Sequence, residues 1–149
     1  MKTVQTLGRS RGFTLIELVI AMAVIALLAA VAVPSYTAHV RRGKIAVALG
    51  ELSAVRVRLE QYYQDNRTYG TTASTCPVPM PTAPGFAFSC AWGGTSSAQS
   101  FLVTASGDAA QGMGGYSYTV NETDQQKTVQ FDGATVNAAC WMQKQGQAC

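Results

Sequence analysis

The chain has a single histidine, His39, and none of its four cysteines lies at the short C-x-x-C spacing that zinc sites favour. A metal centre therefore has few donors to draw on, and no metal or other cofactor is expected. Residues 18–33 contain no charged and no polar side chain, and the first twelve residues contain no acid. Net charge is also missing from most of the chain. The formal +3 is matched by Lys2, Arg9 and Arg11, and from residue 13 onward eight basic side chains face eight acidic ones. Residues 68–149 hold Asp108, Glu122, Asp124 and Asp132 against Lys127 and Lys144. A head of that sign has no bulk attraction for phosphates, so nucleic acid is not an expected partner, although Lys127 and Lys144 leave room for a local patch.

Credible active-site chemistry is lacking too, and no enzyme is expected. His39 reads as a solvated helix residue. Gly112-Met113-Gly114-Gly115 has no following lysine and no helix to open, so it does not read as a phosphate loop. Asn66-Arg67-Thr68 and Asn121-Glu122-Thr123 match the N-glycan acceptor pattern but are better explained as turn residues. Trp92, beside Gly93-Gly94, is either an exposed binding aromatic or a cover for the Cys90 region, and the sequence leaves both open.

What the sequence does contain is asymmetric. A short basic segment runs directly into the apolar stretch, and a helical pattern follows Pro34-Ser35-Tyr36. An ordinary secretory signal is cut after its apolar run. Here that cut would fall inside a long helix, so cleavage before the run is the better reading. A helix over residues 13–36 is roughly 35 Å long at 1.5 Å per residue, enough to cross a bilayer core. Glu17 does not suit a plain anchor. A carboxylate in an apolar membrane helix costs on the order of 3 kcal/mol or more unless it is paired or near the interface.

Beyond Pro34 the apolar positions become periodic: Ile45, Ala48, Leu49, Leu52, Val55, Leu59 and Tyr62. Steps of three and four mark one helical face, which needs a sheet to cover it. The helix is expected to end near residue 63 or 64, before the turn-forming Asp65-Asn66-Arg67-Thr68-Tyr69-Gly70. Arg41, Arg42 and Lys44 follow the apolar span, either to solvate the emerging helix or to meet lipid phosphates. Because they balance the leader's charges, the positive-inside rule does not orient the chain.

Strand character appears at residues 86–90, 99–105, 116–120 and 127–131, with a last segment around 136–142 after Asp132-Gly133. Alternation puts Phe101, Val103 and Ala105 on one face, then Tyr116, Tyr118 and Val120, then Lys127, Val129 and Phe131. The expected fold is α+β, a long N-terminal helix packed on an antiparallel sheet of about four strands. Cys76, Cys90, Cys140 and Cys149 all lie in the head and read as two disulfides. Sequence permits three connectivities. Pairing in order, Cys76 with Cys90 and Cys140 with Cys149, is the expectation, closing two short loops each worth on the order of 2–3 kcal/mol.

Gly12-Phe13-Thr14-Leu15-Ile16-Glu17-Leu18 closely resembles the type IV prepilin signature, and the resemblance extends through Ala29-Ala30-Val31-Ala32-Val33-Pro34-Ser35-Tyr36. Many members of that family carry a helix-weakening Gly where this chain has Ala26, which leaves Pro34 as the remaining breaker for helix melting in the filament. The stretch from Leu59 to Tyr69, with Tyr62-Tyr63, Asn66 and Thr68-Tyr69, resembles the helix end of PilE-like pilins. The resemblance implies cleavage between Gly12 and Phe13 by a prepilin peptidase and N-methylation of Phe13. It also implies that Glu17 pairs with the terminal amine of a neighbouring subunit, and that the Cys140–Cys149 region is an exposed recognition or packing loop.

The implied organisation is a cleaved leader at 1–12, a transmembrane and assembly helix at 13–36, an amphipathic helix at 37–65 and a β head at 66–149. The implied function is that of a type IV pilus subunit. The chain would sit in the inner membrane as a single pass with its head in the periplasm, then enter an extracellular filament. The implied partners are homologous pilin subunits, the prepilin peptidase, the assembly platform and, before assembly, the lipid bilayer. The alternatives are a tip or DNA-uptake binding minor pilin, and a type II secretion pseudopilin.

Overall fold

The computed structural model describes residues 12–93 and 97–149. Met1 to Arg11 of the expected leader, and Gly94 beside Trp92, lie outside the described residues. Helix α1 runs from Leu15 to Asn66, and five strands follow: β1 Phe86–Ala91, β2 Leu102–Gly107, β3 Ser117–Asn121, β4 Gln126–Phe131 and β5 Ala134–Ala138. They form one antiparallel sheet in the order β1-β2-β3-β4-β5, a plain meander. The described residues divide into two compact units, one ending at residue 38 and the other spanning residues 39–149.

In the first unit α1 passes through Pro34 without a break. Thr37 donates its hydroxyl to the Pro34 carbonyl at 2.9 Å. Pro34 therefore sits inside a continuous helix in the isolated chain.

In the second unit the apolar stripe of α1 becomes the core. Ile45, Ala48, Leu49, Leu52, Val55 and Leu59 are all buried, in one cluster with Phe86, Phe101, Val103, Tyr118 and Val120 of the head. Tyr62 is only half-buried, so the buried stripe ends at Leu59. The helix ends where a left-handed residue stops it: Arg67 has φ 57°, and its N–H closes onto the Tyr63 carbonyl at 2.8 Å. Gln99 then donates to the Arg67 carbonyl at 3.1 Å, tying the helix end to the head.

The sheet is shifted from its expected boundaries at three places. β2 starts at Leu102, because the Phe101 N–H is taken by the Glu122 carboxylate (3.2 Å) instead of a neighbouring strand. Phe101, Val103 and Ala105 are nonetheless all buried, the face that alternation assigned. β5 starts immediately after the Asp132-Gly133 turn and ends at Ala138, so residues 139–142 are not strand. On β4, Lys127, Val129 and Phe131 do not share a face. Thr128 and Phe131 are buried and Lys127 is exposed. The cause is a bulge: Ser117 pairs with Gln130 but Tyr118 pairs with Thr128, which leaves Val129 as an extra residue that inverts the phase.

Gly115 shows how tightly the β4–β5 turn is packed. It has φ +82°, and a Cβ there would lie 2.6 Å from the Gly133 nitrogen. The Gly133 N–H donates to the Gly115 carbonyl at 3.1 Å.

Candidate functional site

Three places on the chain carry the features that sequence singled out: the start of α1, the basic cluster past Pro34, and the cysteine-closed C-terminal loop. At the start of α1, Gly12 and Phe13 lie just ahead of the helix, and Phe13 is 83% exposed. Thr14 and Glu17 form a reciprocal cap. The Glu17 N–H donates to Thr14 Oγ1 (3.3 Å), while the Thr14 N–H and hydroxyl both approach Glu17 Oε2 (3.4 and 3.5 Å). This is the T-x-x-E capping box, which satisfies N–H groups that a helix start leaves without partners. It gives Glu17 a local role within its own chain and places a negative charge at the positive end of the helix dipole.

The large apolar side chains that follow are all exposed, among them Leu15 (81%), Leu27 (72%) and Val31 (74%). The most apolar eighteen-residue window of the helix has mean hydropathy 2.8 and none of it is buried, so α1 is long and apolar enough to cross a membrane.

The basic cluster does more than solvate the helix. Arg41 Nη1 lies 3.9 Å from Asp132 Oδ1, and the Tyr116 hydroxyl donates to the same oxygen at 3.0 Å. Burial raises the Tyr116 phenol above its usual range, and the bond to Asp132 adds to the rise. Lys44 Nζ donates to the Gln111 carbonyl at 2.9 Å. Further along, Arg56 Nε sits 3.4 Å from Asp124 Oδ1 in the β3–β4 turn. Cations on α1 therefore dock the head's turns, a role the sequence reading did not assign. His39 lies on the exposed surface of α1.

Cys76 is joined to Cys90 and Cys140 to Cys149, with Cα–Cα separations of 5.5 and 5.4 Å. The first bridge closes the loop after α1 onto β1. The second closes the C-terminal loop, whose root is laced to the sheet. Thr128 Oγ1 donates to the Cys140 carbonyl (2.7 Å) and accepts from the Met142 N–H (2.8 Å). Tyr118 donates to the Met142 carbonyl (3.0 Å), and Trp141 Nε1 to the Thr119 carbonyl (2.9 Å). Beside this root, Asp124, Gln125, Gln126, Lys127, Ala139 and Cys140 line an open recess of about 330 Å³. Thr128 and Trp141 are site residues that sequence reasoning missed. The only signal was an isolated Thr at a position that the bulge turns inward.

The remaining candidates are structural. Asn121 Oδ1 accepts from the Gln125 N–H (2.8 Å) and from the Thr123 hydroxyl (3.0 Å), which serves the β3–β4 turn, and Asn66 donates to the Tyr62 carbonyl (3.0 Å) at the end of α1. Gly112, with φ 72°, closes a single 3-10 turn capped by Asp108. Trp92 is half-buried; its backbone N–H donates to the Ala73 carbonyl at 2.9 Å, while its buried indole Nε1 meets no acceptor among the described residues.

A long apolar-then-amphipathic helix laid on an antiparallel meander defines the type IV pilin class. The fold is similar to that of a solved structure, the non-core minor pilin PilV of Neisseria meningitidis (TM-score 0.53, 15% identity, covering 66% of this chain and 95% of that one). Residues 34–140 match the family model described as type IV minor pilin ComP, DNA uptake sequence receptor, and residues 7–33 match the prokaryotic N-terminal methylation motif. The chain belongs to that ComP-like minor pilin family.

Among curated proteins it is 38% identical over 65 residues to the type IV major fimbrial protein FimA of Dichelobacter nodosus, covering 44% of this chain and 41% of FimA. It is 36% identical over 61 residues to the type II secretion system core protein G of Pseudomonas aeruginosa, covering 41% of this chain and 43% of that protein. The chain thus matches about two fifths of the length of these relatives.

Proposed function

We propose that the chain is a type IV pilus subunit, cut between Gly12 and Phe13 by a prepilin peptidase, N-methylated on Phe13 and polymerised through the first half of α1. The observation that carries this reading is the exposed apolar run, none of it buried among the described residues, behind a motif that matches the methylation signature. Such a surface needs lipid first and other helices afterwards. Before assembly the chain spans the inner membrane once with its head in the periplasm, and the assembly platform draws it into an extracellular fibre.

The cut creates an α-amino group at Phe13, largely protonated at neutral pH. Glu17 of an adjacent subunit is its partner in the filament core. The capping box does not stand in the way, since both approaches from Thr14 go to Oε2 and a carboxylate has two oxygens. A buried pair of this kind adds little net stability, but leaving either charge alone is strongly unfavourable, so the pair sets register. The test is mass spectrometry of the chain recovered from sheared fibres. The reading requires an N-terminal methyl-phenylalanine at position 13, and any other start residue removes the processing claim.

A second reading has a specific observation behind it: the matching family is described as a DNA uptake sequence receptor. On this reading the chain is a minor subunit whose head captures duplex DNA. The negative balance of residues 68–149 weighs less once the packed unit is considered. Residues 39–149 hold eight basic and seven acidic side chains, because Arg56, Arg58 and Arg67 belong to the same compact unit. Lys127 and Lys144, both exposed, make no ion pair among the described residues. Titration of the full-length chain in detergent with duplex DNA, across salt concentrations, decides it. Capture predicts binding that weakens as salt rises and weakens further in Lys127→Gln with Lys144→Gln. No binding at low salt leaves only the structural role.

A further inference from the structure

The two disulfides sit in different surroundings. Cys90 is 7% exposed and belongs to the apolar core, with Cys76 half-buried against it. Cys149 is exposed and Cys140 is half-buried. A reductant in solution must reach one sulfur and expel the other as a thiolate. At the first bridge the more accessible residue is Cys76, and attack there expels Cys90 into the core, where a charge is poorly solvated. At the second, attack on Cys149 expels Cys140, which shares an open recess with Lys127. The ammonium favours that thiolate. Asp124 lines the same recess and opposes it, but Arg56 Nε lies 3.4 Å from its Oδ1 and offsets its charge.

What each bridge holds differs as well. The loop closed by Cys76 has other ties: the Trp92 backbone N–H donates to the Ala73 carbonyl, Ala83 bridges to Phe86, and Val78 and Met80 pack on the core. At the C-terminal loop such ties stop at Met142. Tyr118, Thr119 and Thr128 hold residues 140–142 by hydrogen bonds. Residues 143–149 are all exposed. Their own bonds, from the Gln143 N–H to Gln147 Oε1 (2.9 Å) and from the Gln147 N–H to the Lys144 carbonyl (3.3 Å), stay within the loop. Among the described residues no hydrogen bond or ion pair joins 143–149 to the head, so the disulfide is what fastens the far end of this segment.

We propose that Cys140–Cys149 is a redox latch, which a dithiol reductant opens selectively to free residues 143–149 while the sheet and residues 140–142 stay packed. The attacking thiolate bonds to Cys149 Sγ, the Cys140–Cys149 bond breaks, and its electron pair leaves on Cys140 Sγ, which takes a proton from solvent. The second thiol of the reductant, as a thiolate, then displaces Cys149 from the mixed disulfide. The reductant ends as a disulfide and both cysteines as thiols. In an oxidising compartment the closed state is the resting one. Opening sets a thiol on the wall of the recess and turns the closed loop that carries Lys144 into a free segment. The latch works independently of fibre assembly and of DNA capture.

The test exposes the full-length chain in detergent to a fixed concentration of dithiothreitol, alkylates the thiols released over time and maps them by mass spectrometry. Cys140 and Cys149 should be labelled about tenfold faster than Cys76 and Cys90. In the opened state tryptic cleavage after Lys144 should also speed up about tenfold. Hydrogen exchange should show the amides of Val103, Tyr118 and Val120 still protected at that stage. The double variant Cys140→Ser with Cys149→Ser should match the opened state without reductant, with fast cutting after Lys144 and a protected sheet. Lys127→Gln should slow labelling of Cys140 and Cys149 about threefold and leave Cys76 and Cys90 unchanged. Equal labelling rates at the two bridges, or faster labelling of Cys76 and Cys90, overturn the latch. So does loss of sheet protection on opening, whether by reduction or in the serine variant. An unchanged rate in Lys127→Gln overturns the part assigned to that side chain.

Discussion

Residues 15–36 and residues 45–59 of α1 draw on the same apolar alphabet and put it to opposite uses. In the first stretch Leu15, Ile16, Val24 and Ile25 lie on four different sides of the helix, and all are exposed. In the second stretch Ile45, Leu52, Val55 and Leu59 keep to one side and are buried to within 1%. The difference lies in what separates the apolar residues. Polar and charged residues punctuate the second stretch at helical intervals, so one face must turn to a sheet and the other to solvent. None punctuates residues 18–33, so no orientation within one chain hides that surface. The head is therefore complete in itself, and the first half of the helix is complete only among other molecules.

This contrast can be broken most directly with matched leucines. Leu52→Ala should destabilise the head by about 2–5 kcal/mol, through lost transfer energy and an unfilled cavity. Leu27→Ala should leave the head's melting temperature unchanged and act on insertion or assembly alone. Thermal melts of both full-length variants in the same detergent make the comparison, and a matching loss from Leu27→Ala would erase it.

Next in size are the bridges. Removing Cys140–Cys149 with paired serines should cost about 2–3 kcal/mol by the chain-entropy account, without affecting insertion, because every cysteine lies in the head. Thr128→Val should cost about 1–3 kcal/mol, since it leaves the Cys140 carbonyl and the Met142 N–H without their shared partner. Urea titration should show that loss of unfolding free energy, while Arg41→Ala changes it by under about 1 kcal/mol, as expected for an exposed ion pair.

Alkaline pH sharpens the comparison in another way. Burial raises the phenols of Tyr69, Tyr116 and Tyr118, and hydrogen bonds to Glu60 and Asp132 add to the rise at Tyr69 and Tyr116. A raised folded value means that the stabilisation is complete below about pH 10, the unfolded phenol's range, and is lost as pH climbs above it. The head should therefore weaken steeply past pH 10, with late phenolate absorbance appearing together with unfolding. Phenolate absorbance that is complete in the still-folded chain would contradict the burial argument.

Sequence periodicity was a good guide wherever a single period governed a segment. The six buried positions on α1 were readable because a straight helix keeps its phase, and the β2 and β3 faces were readable by alternation. β4 was not, because Val129 is an extra residue whose effect depends on pairing with β3 and β5, and nothing local announces it. The partners of Arg41 and Arg56 were unreadable for a related reason. Asp132 and Asp124 lie in turns far along the chain, and only the meander's register brings them back to the helix. The start of α1 is legible as a motif, and its Thr14-x-x-Glu17 spacing also fits a capping box, a local role that the cost of a carboxylate in an apolar helix does not by itself reveal.

That overlap sets the decisive measurement. Glu17→Leu and Thr14→Ala both remove the capping box, and only Glu17→Leu removes the carboxylate. Each is expressed in the full chain beside wild-type copies, and the ratio of sheared, filament-borne subunit to membrane-retained subunit is compared. The account predicts that both variants insert and are cut at Gly12, that Thr14→Ala assembles nearly as wild type, and that Glu17→Leu is sharply depleted from filaments, because each added copy leaves a cationic terminus unpaired. Equal ratios for Glu17→Leu and wild type would contradict amine pairing, and equal depletion of both variants would assign the effect to the helix cap instead.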